Sequence, residues 1–180
     1  MLYIVGVNHS VQFKNDDLSL GFLVFVKNII DGYVIEIIAE EWSNDANSLW
    51  KIKESNLSLL SKELNKYLIQ FEPNEIDKNK FGIMTRLDIR KKAESFIPSV
   101  KTVEDIKQRK LEKERLKKQN YIPREIYWLE KIKPYLNKNI LIICGNDHIT
   151  TFCSLLLKNS INNIVLSKDE WILDEHSLVF

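Results

Sequence analysis

The sequence has no apolar run long enough to cross a membrane, no basic stretch leading into an apolar one near its start, and neither a P-loop nor a Gly-x-Gly-x-x-Gly motif. These absences predict a cytoplasmic chain with no membrane partner and without the familiar nucleotide-binding signatures. Charge of one sign is also missing in excess. The net charge is +1 over 180 residues, so no global basic field points to nucleic acid. Cysteine is scarce: Cys144 and Cys153 are the only two, and they read as small buried hydrophobes, not as a disulfide, in a reducing compartment. What is there is ordinary for a globular protein, with 44% apolar and 28% charged residues. At this length one domain over residues 1–180 with a real core is expected.

Histidine is rare as well, yet two of the three histidines stand in the same short phrase. Leu2 to Val5 is an apolar run followed by Gly6, Val7, Asn8 and His9. Ile140 to Cys144 is another, followed by Gly145, Asn146, Asp147 and His148. Each apolar run is short and β-branched, as suits a buried strand. Ile149 to Leu157 then reads as a helix whose first turn Thr150 or Thr151 can cap. Strand, glycine-containing turn and helix is the unit that delivers functional groups to the carboxyl edge of a parallel sheet.

Between these ends the elements alternate. Asp16 or Asp17 can cap a helix over Leu18 to Ile30, apolar nearly all round and so expected to be buried, with Asp31-Gly32 ending it. Tyr33 to Ala39 reads as a strand that ends in Glu40-Glu41-Trp42. Helix is expected from Ser43 or Asn44 to about Asn65, with a break near Ser55-Asn56. Tyr67 to Phe71 is a short strand ending at Glu72-Pro73, where Glu72 reads as structural. The charged stretch around 88–120 reads as a helical or lid-like insertion, with Thr102 and Asp105 resembling a capping box. Pro123 suits the first turn of a helix to about Leu136, with Arg124 and Glu125 in that turn and Tyr127, Trp128, Ile132 and Tyr135 on its buried face. Ile164 to Leu166 is a last short strand, and the tail with Trp171 and His176 reads as a packed terminal segment. The fold class expected is α/β, with a mainly parallel sheet of about four to five strands flanked by helices and right-handed crossovers.

In such a sheet all strand tips share one edge. His9, Glu40 or Glu41, Glu72, and Asp147 with His148 would therefore meet there. Adjacent strand residues point to opposite faces, so only one of Glu40 and Glu41 can face a site. Two histidines and a carboxylate can hold a divalent metal with open positions, or do acid–base work near neutral pH without one. His9 is equally placed to cap the following helix, and His176 reads as structural.

The pattern resembles the Tiki/TraB/erythromycin-esterase/ChaN-like superfamily. Gly6-Val7-Asn8-His9 matches its early motif, Glu41 before Trp42 its strand-end glutamate, Arg124 its helical arginine, and Gly145-Asn146-Asp147-His148 its late motif. Glu125 stands where that pattern tends to have Asp or Asn. The resemblance implies an α/β fold and, for some members, metal-dependent peptidase or hydrolase activity; others bind haem or act as esterases. On this basis the chain is expected to be a hydrolase of a small-molecule or peptide substrate, with or without a metal. His9, His148 and Glu41 are the expected ligands of a divalent ion, and Glu41 and Arg124 the expected catalytic residues, with Arg124 stabilising an anion. Two other readings stay open. One is a non-catalytic sensor of an anionic small molecule at the same edge. The other is an interaction protein that docks a protein partner through the basic segment 107–118.

Overall fold

The computed structural model describes residues 1–168, so the expected terminal segment beyond Lys168, with Trp171 and His176, lies outside the described residues. The chain runs through β1 (Leu2–Val7), α1 (Asp17–Gly32), β2 (Ile37–Glu40), α2 (Asn44–Trp50), α3 (Asn56–Glu63), β3 (Tyr67–Gln70), α4 (Glu75–Lys80), α5 (Arg86–Phe96), α6 (Val103–Gln119), α7 (Tyr121–Ile132), β4 (Ile140–Gly145), α8 (Ile149–Lys158) and β5 (Asn163–Lys168). The five strands form one sheet in the order β3-β2-β4-β1-β5, and every pairing is parallel. The strand with no polar side chain, β4, lies at the centre and is buried along its whole length. A strand covered on both faces needs apolar residues at every position, which is why its sequence does not alternate.

The two faces carry separate apolar layers. Leu2, Ile4, Ile37, Ala39, Ile140 and Ile142 pack with Trp128 and Ile132 of α7 and Phe152 and Leu156 of α8. Val5, Val7, Ile38, Leu141 and Ile143 pack with Phe22, Val26 and Ile30 of α1 and Leu57 and Leu60 of α3. The chain moves outward from β1 to β3 with helices on the second face, then returns to β4 and β5 with helices on the first. A reversal of direction across the sheet demands a change of face when crossovers are right-handed.

Several expected boundaries move for local reasons. The strand expected over Tyr33 to Ala39 begins only at Ile37. Val34 takes a left-handed backbone with φ of 51°, and Tyr33 caps the end of α1 instead. The long helix expected from residue 43 to 65 is two helices, because Lys51 sits in the left-handed region at the end of α2 and Ser55 starts α3 afresh as its cap. α1 packs against the sheet as expected, through Phe22, Val26 and Ile30, and leaves Leu20 and Val24 exposed on its outer face. The stretch 88–120 forms the end of a helical hairpin, α5 against α6, around a small core of Ile89, Ala93 and Leu116. Thr102 and Asp105 close the capping box expected for α6, and Thr85 with Asp88 closes a second one on α5. β5 is longer than the three residues expected. No helix among the described residues is long and apolar enough to cross a membrane.

Candidate active site at the carboxyl edge of the sheet

β4 lies between β2 and β1, so the tips of those two strands lean over its end. That end is Gly145. A Cβ there would stand 2.9 Å from His9 Nε2 and 3.4 Å from Glu41 Oε2. The missing side chain leaves the space in which a residue following β1 and one following β2 meet. Gly6 has the matching role on the other side of the sheet, where a Cβ would collide with the Asn146 side chain. It lies inside β1 and does not end it. Both Gly-x-x-His phrases thus reflect crowding at neighbouring strand tips. After each glycine a short 3-10 turn, His9–Gln12 or Asn146–His148, turns the histidine back toward the edge.

Glu41 is the centre of the arrangement. Its Oε2 accepts from the Gly145 backbone N–H at 2.7 Å, and its Oε1 accepts from Arg124 Nη2 at 2.6 Å. His9 Nε2 stands 3.5 Å and His148 Nε2 3.9 Å from the same Oε1. The carboxylate side chain is only 4% exposed. Burial acts to raise its pKa, but the charges of His9, Arg124 and His148 and the Gly145 hydrogen bond outweigh it and hold the pKa down at about 2. Glu41 is therefore an anion throughout the neutral range.

Arg124 comes from the first turn of α7. It donates through Nε and Nη2 to Glu72 Oε2 at 3.3 and 2.8 Å, and its guanidinium lies 5.3 Å from the Trp128 ring centre. Its Nη1 is 3.2 Å from His148 Nε2. Arginine only donates, so His148 Nε2 must accept and the ring carries its proton on Nδ1. That proton goes to Glu125 Oε1 at 2.8 Å, which also accepts from Thr151 Oγ1 at 2.5 Å. Burial works to lower the Arg124 pKa, but Glu41 and Glu72 prevail and raise it. Among the described residues one Nη1 N–H of Arg124 has no protein partner, and the side chain is 18% exposed. Tyr121 covers the far side of His148, with ring centres 4.2 Å apart, and donates to Asp147 at 3.2 Å.

His9 is the open end of the site, with a side chain 43% exposed. Its Nδ1 lies 2.7 Å from Gln12 Oε1. Glu40 points to the opposite side of the strand from Glu41. It is fully buried and accepts from Ser55 Oγ at 2.5 Å, Gln70 Nε2 at 2.9 Å and Gln12 Nε2 at 3.4 Å. Burial raises its pKa to about 6 against those hydrogen bonds.

The four residues expected at the site, His9, Glu41, Arg124 and His148, come together. Among the described residues no three His, Cys, Asp or Glu side chains are placed to hold a metal ion. The positive charge beside Glu41 Oε1 and His148 Nε2 is the Arg124 guanidinium. Three further residues belong to the site without a sequence motif that places them there. Glu72 orients Arg124 and is not merely a strand end. Glu125 is buried on the same helix face as Trp128, Leu129 and Ile132, and a carboxylate on an apolar stripe is the signal that marks it. Thr151 does not cap α8; its hydroxyl bonds Glu125 and the His148 carbonyl. No protein-family model matches the chain, and no curated protein or solved structure matches it either.

Proposed function

We propose that this chain is a hydrolase acting at the carboxyl edge of the sheet on a small molecule or peptide whose reacting group becomes an oxyanion. The observation that carries this reading is the pairing of a solvent-open imidazole, His9, with a buried carboxylate and a positioned guanidinium. His9 Nε2 takes a proton from water, and Glu41 at 3.5 Å stabilises the imidazolium that forms. The water adds to a carbonyl or phosphoryl centre, and the remaining Nη1 N–H of Arg124 meets the oxygen on which charge develops. His9 returns the proton to the leaving group. Glu72, Glu41 and the Glu125–His148 pair hold the guanidinium in place, so little reorganisation is needed as charge moves. With its pKa held near 2, Glu41 serves as counter-charge and not as the proton acceptor.

The resemblance to the Tiki/TraB/erythromycin-esterase/ChaN-like superfamily agrees with this reading and adds its metal-bearing form, in which His9, His148 and Glu41 hold a divalent ion. Metal analysis of protein purified without chelator, beside His9→Ala and His148→Ala, tests it: stoichiometric metal lost in both variants supports a metal site. The hydrolase reading itself is tested on a panel of esters, peptides and phosphoesters. His9→Ala is expected to lower turnover roughly 100- to 10,000-fold and Arg124→Gln roughly 100- to 1,000-fold. Unchanged turnover in both overturns it. Saturable binding of an anion that depends on Arg124, with no turnover, makes the site a sensor instead. A protein partner is favoured by a separate observation: α6 exposes Val103, Ile106 and Leu111 among its basic residues. Pull-down with residues 107–118 deleted tests that role, and retention of every partner removes it.

A further inference from the structure

The hydrogen bonds behind His9 run in one direction, and the direction begins at Glu40. Glu40 Oε1 accepts from both Ser55 Oγ and Gln70 Nε2, and Glu40 Oε2 faces Gln12. A carboxylate offers no proton, so Gln12 must turn its amide nitrogen to Glu40 and its carbonyl to His9. His9 Nδ1, 2.7 Å from that carbonyl, must then be the donor. The proton on Nδ1 leaves Nε2 bare, and Nε2 is the atom that faces Glu41. We propose that Glu40, acting through Gln12, is a positioning residue that sets the tautomer of His9. Gln12 and Glu40 are both fully buried, so water has no place in which to satisfy the amide in its other orientation. The result matches His148, whose Nδ1 proton is held by Glu125 directly. The two imidazoles reach Glu41 Oε1 with the same nitrogen forward, one held through a relay and one without.

The use of His9 in chemistry rests on the hydrolase reading; control of its tautomer does not. The test is a long-range nitrogen–proton correlation spectrum of the imidazole rings in the 15N-labelled full chain, at a pH well above 6, where Glu40 is a carboxylate. His9→Asn identifies its signals. In the wild type, Nδ1 should carry the proton and Nε2 should have the shift of a bare ring nitrogen. Glu40→Gln should reverse this. The new amide keeps its oxygen toward Ser55 and Gln70 and presents its NH2 to Gln12, which flips and donates to His9 Nδ1. The proton then moves to Nε2. Gln12→Met should release the ring, so that the distinct Nδ1–H signature is lost even if Glu40→Gln does not fold. A wild-type ring protonated on Nε2, or an Nδ1–H signature that persists in either variant, overturns the proposal. A tautomer reversed in Glu40→Gln, together with a wild type inactive on every substrate, supports it and sinks the hydrolase reading alone.

Discussion

Glu40 and Glu41 are neighbours in sequence and both buried, yet their environments push them in opposite directions. Glu41 meets three positively chargeable groups, whereas Glu40 meets neutral donors only. The consequences for stability have opposite signs. Glu40 is raised from an ordinary 4.5 to about 6, so its contribution is fully present below 4.5 and is lost as pH rises through 6. Glu40→Gln cannot ionise. It should therefore gain on the order of 2 kcal/mol relative to the wild type between pH 4.5 and pH 7.5. Urea melts at the two pH values measure this, and a constant difference between the proteins would rule it out. Glu41 is depressed, so its contribution is present above 4.5 and is lost as pH falls toward 2, on the order of 3 kcal/mol. Glu41→Gln should flatten that acid limb while leaving the 4.5–6 window unchanged. On the substrate panel both variants should lose turnover, Glu41→Gln because it removes the counter-charge of His9 and Glu40→Gln because it puts the ring proton on Nε2. Equal loss with the His9 tautomer unchanged in Glu40→Gln would assign the pair to folding instead.

At the scale of elements, the tip of β4 is the tightest point. Gly145→Ala puts a methyl group 2.9 Å from His9 Nε2, nearer than such contacts allow, and the exposed imidazole is the partner free to move. Turnover should fall on the order of 100-fold, as expected when a reacting group is displaced by about an ångström, with a far smaller change in melting temperature. A collapse of stability with normal specific activity in the folded fraction would refute this account. α6 is held differently. Its apolar side chains are mostly exposed, Leu116 apart, so its start depends on the Thr102–Asp105 box. Thr102→Ala should cost about 1 kcal/mol, read as faster hydrogen exchange confined to the α5–α6 hairpin. Uniform change across the sheet would show that the hairpin does not open by itself.

At the scale of the molecule, the sheet is what assembles the site. Arg124 and Glu41 are 83 positions apart, and Gly145 and Glu41 104 apart; only parallel strand order brings them within hydrogen-bond reach. Trp128 links this assembly to the core. It is fully buried, packs on Phe71, Phe152 and His148, and donates to Glu72 at 3.3 Å. Trp128→Phe keeps the packing but leaves that bond unmade and the ring smaller. It should lower stability by roughly 1–3 kcal/mol and loosen Arg124, seen as weaker anion binding in thermal-shift titrations. Stability lost with anion binding intact would separate the core from the site.

The sequence by itself determined the alternation of strands and helices, the burial of β4, and the recurrence of histidine three residues after a glycine close to a strand end. Those features follow from local rules: side-chain period, capping residues, and the room a glycine leaves. The late start of β2 escaped those rules because Val34 adopts a left-handed backbone against its own preference, held by the end of α1. Only the tertiary structure decided which glutamate faces the site, that Glu72 and Glu125 serve Arg124 and His148, and that Gln12 joins His9 to Glu40. Each of those depends on partners 23 to 83 positions away or on the face to which a strand end turns. A carboxylate reads the same in sequence whether it ends in water, against a guanidinium, or under a buried amide. Its role is set by which charges and dipoles the fold brings within a few ångströms, in surroundings too dry to screen them.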